Sequence, residues 1–185
     1  QHVLIHAGAS GVGTAAVQLA KAIGCKVAVT ASSNDKLELC QRLGADILIN
    51  YQAAAFEQEL ARFWPAGVDL ILDPVAGDYI SREIPLLKMD GKIVLYAMMA
   101  GREVPHFDLV PLFKRRGQII CSTLRNRTNH YKTRLTQAFY QTYGQPLAQR
   151  QIQPVLQQQF HWQEAEQAHR LMASNSTKGK LVLTF

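Results

Sequence analysis

Three glycines near the start of the chain have the types and spacing of a turn that binds an anion. Gly8, Gly11 and Gly13 follow a short apolar run at residues 3–5, which is typical of a strand buried on both faces. Gly11 has no Cβ, so a ligand can approach its backbone closely. Apolar residues then recur on one face of a helix from residue 12 onward. The N–H groups and dipole of that helix start favour a negative group, and a pyrophosphate is the expected ligand.

The spacing agrees with the dinucleotide-binding pattern Gly-x-Gly-x-x-Gly at two of its three glycines. Gly8 and Gly13 occupy the first and third positions, and Ser10 stands where the second is expected. A tight strand-to-helix turn with no ligand is the alternative interpretation. The turn follows a strand, opens a helix and begins a series of βα units, and this context favours nucleotide binding. We therefore expect cofactor contacts at Ser10, Gly11, Val12 and Gly13.

The end of the second predicted strand, at residues 26–31, bears on the choice of cofactor. NAD-binding proteins usually place Asp or Glu here, about 20 residues after the glycines, to bind the ribose 2′-hydroxyl. This chain instead has Ser32 and Ser33, and Lys36 follows at the start of the next helix. A lysine there can neutralise a 2′-phosphate. The alternatives are that Ser32 or Ser33 only caps the helix and that Lys36 is an ordinary surface lysine. The negative charge of Asp35 also counts against a bound phosphate. The pattern as a whole favours NADP over NAD.

The remaining chain alternates strand patterns with helix patterns, which predicts an α/β fold. Strands are predicted at residues 3–5, 26–31, 46–50, 68–73, 92–97 and 118–123, and helices at 12–23, 35–43, 55–63, 79–87 and 129–143. The order predicts a Rossmann-type, doubly wound, mainly parallel six-stranded sheet with helices on both faces. Residues 1–144 form the predicted dinucleotide-binding domain, ending with a helix that stops at Gly144. Residues 145–185 form a predicted C-terminal tail.

Size and charge limit the function classes. The chain has 185 residues and is 48% hydrophobic, which suits one domain of roughly 100–200 residues. Its net charge is +6, with basic clusters at residues 114–116 and at Arg125 and Arg127. We interpret these clusters as solvated surface or as affinity for a phosphorylated cofactor, and expect no nucleic-acid partner. No apolar run reaches the roughly 20 residues of a membrane span, so no membrane association is expected.

The cysteines and histidines lack the spacing of metal ligands. Cys25, Cys40 and Cys121 are widely separated, and we expect them to be small buried residues in a reducing, cytoplasmic compartment. His2 and His6 fall on one face of the first strand with no third ligand nearby, which favours a core or edge role over zinc. We therefore predict no metal site.

The glycine turn and several later segments together resemble one family. Residues 6–20 are similar to the nucleotide-binding turn of the zinc-independent quinone oxidoreductases, which belong to the medium-chain dehydrogenase/reductase superfamily. The second glycine is commonly replaced in that family, so Ser10 fits it. The resemblance continues through residues 50–51, 69–73, 91–96 and 179–183, and it is closest to the p53-inducible quinone oxidoreductase subgroup through residues 6–13 and 124–127.

This resemblance implies NADPH as the cofactor and suggests contacts for it. A small residue at Ser32, a lysine at Lys36 and a tyrosine at Tyr51 match the family's contacts to the adenosine 2′-phosphate. The alternatives to these cofactor contacts are that Tyr51 is an ordinary half-buried aromatic and that Met98 and Phe113 are core residues. Contacts implied nearer the nicotinamide are Val75, Gly77, Tyr96, Met98, Phe113 and Leu124. In the family, a basic residue near the end of the tail helps to bind the 2′-phosphate. The position that is arginine in some relatives is Asn175 here, and the sequence does not rank Lys178 and Lys180 as its substitutes.

The implied activity is hydride transfer from NADPH to a quinone or a conjugated carbonyl acceptor, without zinc. Relatives bind substrate largely through an N-terminal GroES-like catalytic domain, which we expect to be missing because the chain opens directly on a buried-type strand. We predict no catalytic residue, and we expect cofactor binding with little or no reductase activity. A homodimer through the sixth strand is expected. The alternatives are a nucleotide-binding module without chemistry and an enoyl-reductase segment of a larger synthase.

Overall fold

The computed structural model of the protein describes residues 1–104 and 107–185. The strands are β1 (His2–Ile5), β2 (Lys26–Ala31), β3 (Ile47–Asn50), β4 (Val68–Asp73), β5 (Leu87–Leu95), β6 (Gln118–Cys121), β7 (Leu156–His161) and β8 (Lys180–Thr184). The helices are α1 (Gly11–Ala22), α2 (Asn34–Arg42), α3 (Phe56–Phe63), α4 (Tyr79–Glu83), α5 (Val110–Lys114), α6 (Asn129–Ala148) and α7 (Ala165–Ala173). Short 3-10 helices lie at Ile84–Leu86 and Trp162–Glu164.

The first six strands form one parallel sheet in the order β3-β2-β1-β4-β5-β6. Val3 pairs with Val27 on one side and with Leu70 on the other, so β1 lies at the centre. The strand order reverses direction between β1 and β4, and ligands bind at the carboxyl ends beside such a reversal. The predicted doubly wound, six-stranded parallel sheet is confirmed.

Helices cover both faces of this sheet, as predicted. Leu4 of β1 is buried in one core layer with Phe56 of α3. Its neighbours Val3 and Ile5 point to the opposite face, where they are buried with Val17 of α1. Successive side chains of a strand alternate between the faces, so a run of apolar residues in β1 contributes to both layers. The two layers hold the central strands rigidly and thereby fix the turns that follow them.

The last helix of the predicted nucleotide-binding domain is longer than its sequence signals indicate. We expected it to stop at Gly144, but α6 continues through Gly144 and Pro146 to Ala148, so that prediction was wrong. The chain terminates the helix later, where Gln149 N donates to Gln145 O (3.0 Å) and Gln151 N donates to Pro146 O (2.9 Å). A proline near a helix end removes one backbone donor but leaves these closing bonds intact. The proposed boundary at residues 144/145 therefore lies inside a continuous helix.

Two further expectations need correction. The fifth strand was predicted to begin at residue 92, but β5 begins at Leu87 and contains the turn-forming pair Asp90-Gly91, with Asp90 at φ +62°. The pairing register between β4 and β5 shifts in this region, so the turn chemistry produces an irregularity inside the strand. Cys25 and Cys40 are buried as expected, but Cys121 is exposed. Cys121 is the last residue of β6. This strand lies at one edge of the sheet and has a strand neighbour on one side only.

The tail returns to the start of the chain. β7 and β8 form a separate two-stranded parallel sheet, and the residue before β8 pairs with the glycine turn, because Gly179 N donates to Ala9 O (2.7 Å). A second contact joins Gln18 of α1 to Gln153, with Gln18 Nε2 donating to Gln153 O and Gln153 N donating to Gln18 Oε1, each at 2.9 Å. Among residues 1–104 and 107–185, no helix has both the length and the apolar character of a membrane-spanning segment.

Candidate functional site

The glycine turn leads from β1 into α1 and is organised by Ser10. The Ser10 hydroxyl accepts a hydrogen bond from Gly13 N (3.0 Å), and its carbonyl accepts from Thr14 N (2.8 Å), so Ser10 is the N-cap of α1. A Cβ on Gly13 would lie 2.6 Å from Gly8 O and would also collide with Ala7 O. Gly13 therefore allows the strand and the helix to approach closely. Its N–H is already bonded to Ser10, which leaves the turn's earlier residues to meet a ligand.

The side chain of Lys180 lies over the mouth of this turn. A Cβ added to Gly11 would meet the Lys180 side chain, with Cδ at 2.5 Å and Nζ at 2.8 Å. Ser10 pairs with Gly179, which directly precedes Lys180, and this pairing places the Lys180 ammonium group beside the turn. The start of α1 thus has a positive side chain beside it as well as the positive end of the helix dipole. Both features suit a diphosphate, and the sequence alone could not assign Lys180 to this position.

Lys36 in the first turn of α2 lies at the end of β2 with its ammonium group held by neutral oxygens. Lys36 Nζ donates to Ser32 Oγ (3.0 Å), to Asn175 O (2.6 Å) and to Asn175 Oδ1 (3.2 Å). Lys36 is only 8% exposed, and this burial lowers the pKa of its amine. In the described part of the chain, no carboxylate forms an ion pair with it. The result is a desolvated cation that an anionic ligand can neutralise.

The structure distinguishes the two tail lysines that the sequence left unranked. Lys178 Nζ lies 2.7 Å from Asp35 Oδ2, so its charge is already balanced. This contact holds the pKa of the Asp35 carboxyl below its ordinary value. It also reduces the negative potential that Asp35 would place beside a bound phosphate. Lys180, by contrast, lies at the glycine turn, and Asn175 occupies the place beside Lys36.

Other predicted residues of the adenosine side reach the same edge of the sheet. Ser33 caps α2, since its hydroxyl accepts from Lys36 N (3.4 Å). Tyr51 follows β3 directly, and its N–H donates to Ala31 O at the end of β2 (3.2 Å). The Tyr51 side chain is 37% exposed, so its ring is accessible to a ligand. Ser32, Ser33, Lys36 and Tyr51 therefore all lie where β2 and β3 end.

The turn after β4 is fixed by a buried carboxylate. Asp73 accepts hydrogen bonds from Val75 N (2.5 Å) and Ala76 N (2.9 Å). Ala76 and Gly77 follow with φ of +58° and +60°, which is a strained conformation for alanine and an easy one for glycine. The turn is joined to the loop after β5 because Ala100 N donates to Val75 O (2.8 Å). Val75 and Gly77 thus lie at the carboxyl edge of the sheet, and their contact with a nicotinamide stays a prediction.

Tyr96 and Met98 follow β5 but present different surfaces. The Met98 side chain is 56% exposed at this edge. The Tyr96 hydroxyl is buried, and in the described residues it has no hydrogen-bond partner. Burial, with a contribution from the Asp73 carboxylate, raises the pKa of Tyr96 to about 12. Tyr96 therefore directs its polar end into the protein rather than towards an open cleft.

Leu124 and Phe113 differ in their relation to this edge. Leu124 lies in the loop after β6, at the carboxyl end of the sheet, and is 52% exposed. Phe113 is on α5, whose end contacts the opposite end of the sheet, because Arg115 Nε donates to Leu87 O at the start of β5 (2.7 Å). Phe113 is 84% exposed. The structure does not bring it to the other predicted cofactor contacts.

A buried polar cluster beneath the glycine turn was missed by the sequence analysis. His6 and Glu83 are both 0% exposed, and His6 Nε2 lies 3.0 Å from Glu83 Oε1. His6 Nδ1 lies 2.9 Å from Thr30 Oγ1, and Thr30 O accepts from Gly8 N (2.9 Å). Phe56 and Tyr79 pack edge-on against the imidazole. His6 thus has the core role expected of it, but Glu83 showed no pattern that distinguishes it from a surface residue.

Burial determines the protonation states in this cluster. It raises the pKa of Glu83 to about 8 and lowers the pKa of His6 to about 4. It also raises the pKa of Asp73 to about 6, with the neighbouring Glu83 acting in the same direction. At pH 7 the imidazole is therefore neutral and the Glu83 carboxyl is protonated. Among the described residues, His6 Nε2 and both Glu83 carboxyl oxygens are buried without a hydrogen-bond partner, although Nε2 and Oε1 lie 3.0 Å apart.

The arrangement as a whole is suited to binding an anionic ligand along the carboxyl edge. Two cations, Lys180 and Lys36, lie at separate points of that edge. Within residues 1–104 and 107–185, no group of three or more His, Cys, Asp and Glu side chains is placed to hold a metal ion. The described residues therefore offer phosphate contacts at two points.

Comparison with known protein families gives an independent description of the chain. Residues 11–140 match the family described as "Zinc-binding dehydrogenase". The match begins at the first residue of α1 and includes the five strands from β2 to β6. It covers more than half of the chain.

Known proteins resemble the chain over its whole length. The crystal structure of Escherichia coli quinone oxidoreductase complexed with NADPH superposes with a TM-score of 0.86 at 25% identity, covering 100% of this chain and 57% of that one. A phenolphthiocerol/phthiocerol polyketide synthase protein of Mycobacterium tuberculosis is 28% identical over 188 residues, which cover 100% of this chain and 8% of that protein. The synaptic vesicle membrane protein VAT-1 homolog of Danio rerio is 25% identical over 197 residues, which cover 100% of this chain and 41% of that protein. The chain thus spans less than two thirds of each.

Proposed function

We propose that this chain, which belongs to the zinc-binding dehydrogenase family, is the NADPH-binding part of an oxidoreductase. In the proposed reaction a hydride passes from NADPH to a quinone or to a conjugated carbonyl acceptor. The quinone assignment is supported by the similarity to the E. coli quinone oxidoreductase, which was crystallised with NADPH. Cofactor binding through backbone and lysine contacts is supported by the geometry of the turn and of Lys36.

One observation carries the choice of a phosphorylated nucleotide. Lys36 is a nearly buried cation at the end of β2, surrounded by neutral oxygens and, among the described residues, by no paired carboxylate. The end of β2 is where the ribose of a bound dinucleotide lies in this fold. A 2′-phosphate would supply the missing negative charge, whereas a 2′-hydroxyl would not. The residues present therefore fit NADPH better than NADH.

The chain's own residues have separate tasks in this proposal. The start of α1 and Lys180 would hold the diphosphate, and Ser32, Lys36 and Tyr51 would hold the adenosine end. Val75, Gly77 and Met98 would line the nicotinamide end, where the carboxylate of Asp73 keeps its turn in shape. The bound cofactor would supply the hydride, and the protein its position and electrostatic surroundings. We assign no catalytic residue, and we expect efficient reduction to need further parts of a longer protein.

The matched polyketide synthase supports a second candidate, an enoyl-reductase segment of a larger synthase. Both candidates use the same nucleotide site, so they differ only in the acceptor. A longer protein with one additional small domain would favour the quinone reductase, and one with many modules would favour the synthase. Steady-state assays of that protein with a quinone and with a 2-enoyl thioester would separate them.

We also propose that two copies associate through β6. This strand is at the edge of the sheet, and its Ile120 side chain is 40% exposed. An exposed apolar edge strand can pair with its copy across a two-fold axis and so extend the sheet. The resemblance further suggests a zinc-independent, cytoplasmic enzyme with residues 145–185 packed towards another domain, and these points remain predictions.

Replacing Lys36 with alanine tests the cofactor assignment. We expect Lys36→Ala to weaken NADPH binding by about 10- to 100-fold, because a charge-assisted hydrogen bond contributes about 1.5–3 kcal/mol. Binding of NADH should be nearly unchanged, since its ribose has no 2′-phosphate. Fluorescence titration of both nucleotides measures the two dissociation constants.

Lys26→Ala is a matched control for that experiment. Lys26 is a lysine at the other end of β2, where it pairs with Asp46 at 3.2 Å, so its removal changes the net charge equally without touching the site. It should leave both nucleotides within about twofold of the unaltered protein, on the scale of a weak surface ion pair. Equal losses of NADPH and NADH in Lys36→Ala would contradict the phosphate role.

Lys180→Ala should produce a different pattern. Because Lys180 lies over the glycine turn, it would contact the diphosphate that NADPH and NADH share. We expect both nucleotides to bind about tenfold more weakly, which is the lower range for one charged hydrogen bond. The same titrations measure this change. A loss confined to NADPH would instead place Lys180 at the 2′-phosphate.

A further inference from the structure

All three N–H bonds of the Lys36 ammonium group have acceptors in this structure. One is the Ser32 hydroxyl, and the other two are the backbone and side-chain carbonyls of Asn175. The residue that reaches Lys36 from the tail thus supplies two of three acceptors. An ammonium group has only three donors, so a phosphate oxygen can bond to Lys36 only by replacing one of these oxygens.

The two Asn175 oxygens satisfy hydrogen bonds but bring no net negative charge. Lys36 is consequently saturated in hydrogen bonds while its charge is unbalanced, and its burial disfavours the charged amine. The nearby charged group of the tail, Lys178, is itself a cation and is paired with Asp35. Asn175 is therefore a neutral occupant of a place where an anion would bind more strongly.

The backbone at Asn175 makes this contact specific to few residue types. Its φ is +53°, a left-handed conformation that asparagine, aspartate and glycine adopt most easily. Asn175 N also donates to Met172 O (3.3 Å), which holds the Asn175 backbone against the last turn of α7. Substitutions with Asp and Gly can therefore change the side chain while the backbone carbonyl remains beside Lys36.

We propose that Asn175 is a specificity-determining residue that competes with the 2′-phosphate of the nucleotide for the Lys36 ammonium group. This inference rests on the proposed function and assigns the strength of NADPH selection to a residue of the tail. When a nucleotide with a 2′-phosphate binds, the Asn175 side-chain oxygen is displaced from Lys36. When the nucleotide lacks that phosphate, Lys36 stays bonded to Asn175.

Two variants with opposite expected effects test the proposal. Asn175→Asp puts a carboxylate on Lys36 and should weaken binding of adenosine 2′,5′-bisphosphate and of NADPH about tenfold or more, the scale of a charged hydrogen bond. Asn175→Gly removes the competing side-chain oxygen and should strengthen both only about two- to fivefold, because the Oδ1 contact is long at 3.2 Å and the backbone carbonyl of residue 175 remains as an acceptor. Adenosine 5′-monophosphate and NADH should bind equally to all three proteins. Isothermal titration calorimetry measures these affinities without requiring activity.

Ser176→Asp is the matched control, because it adds the same charge one residue further along, where the Ser176 hydroxyl contacts Ser174 rather than Lys36. It should change the bisphosphate affinity by less than about threefold, as expected for a screened surface charge. Three outcomes would overturn the proposal while the NADPH assignment stands. Asn175→Asp and Asn175→Gly could both weaken binding, or the two classes of nucleotide could change equally. The third outcome is a Ser176→Asp effect as large as that of Asn175→Asp. Failure of the unaltered protein to bind either NADPH or NADH would overturn the proposed function and this inference with it.

Discussion

Replacing Gly13 with alanine should destabilise the fold by about 3 kcal/mol or more, because overpacking against rigid atoms has this effect. The new Cβ would lie 2.6 Å from Gly8 O and 2.7 Å from Gly8 C, and it would also collide with Ala7 O. All three atoms are backbone atoms of the turn itself, so no flexible side chain can move aside. Chemical denaturation followed by circular dichroism measures the free energy of unfolding.

Gly11→Ala is the matched control, since the three atoms nearest to the same Cβ two residues earlier all belong to the side chain of Lys180. That side chain can rotate away, so the free energy of unfolding should change by less than about 1 kcal/mol, as for a typical surface substitution. The added methyl group occupies the approach to the helix start, however, and nucleotide binding should weaken. Equal unfolding midpoints for Gly13→Ala and the unaltered protein would show that the turn is not as closely packed as described.

The buried Glu83 should make the stability of the protein fall as the pH rises from 6.5 to 8. Burial raises the pKa of Glu83 to about 8, well above its ordinary value of 4.5. In this interval the folded protein keeps a proton on Glu83 that the unfolded chain has released. Stability therefore decreases with rising pH, by at most about 1.4 kcal/mol per pH unit for one proton. His6 opposes this trend only in the lower part of the interval, because burial lowers its folded-state pKa to about 4 while the unfolded chain keeps the ordinary pKa of 6.5 and loses its proton by about pH 7.5.

Glu83→Gln should remove most of that slope, since the amide has nearly the same shape as the carboxyl group and is neutral at every pH. Denaturant unfolding at pH 6.5, 7.25 and 8 measures the slope for both proteins. Glu38→Gln makes the same chemical change at an exposed position of α2 and should leave the slope as it is in the unaltered protein. A Glu83→Gln protein with the original slope would mean that another group releases the proton.

The sheet and the glycine turn could be predicted because their signals are local. The apolar runs of β1, β2 and β4, each followed within a few residues by a turn and a helix, define βα units without any knowledge of distant contacts. Ser32 and Lys36 were proposed from their place after the second strand and Tyr51 from the family resemblance, and the structure places all three where β2 and β3 end. Each of these inferences needs only the order of residues along one short segment.

What could not be predicted depends on contacts between distant segments. Asn175 reaches Lys36 across 139 positions of the chain, and nothing in either local sequence indicates that they meet. Glu83, at the end of α4, is buried against His6, which follows β1, and this is a contact between separate βα units. Gly144 was interpreted as a helix end, but α6 continues through it and through Pro146 to Ala148, and its closing hydrogen bonds lie beyond. Local propensity does not decide such cases, because tertiary packing overrides it.

The pairing of Ser10 with Gly179 has a consequence for the order in which the molecule matures. Chains emerge from the ribosome with the amino end first, and early segments generally fold before late ones. The parallel sheet can assemble once β6 has emerged, but the wall contributed by the last strand is still being synthesised. A nascent chain would therefore have a stable scaffold before it has a complete nucleotide pocket, and capture of the ligand would await the synthesis of Gly179 and β8.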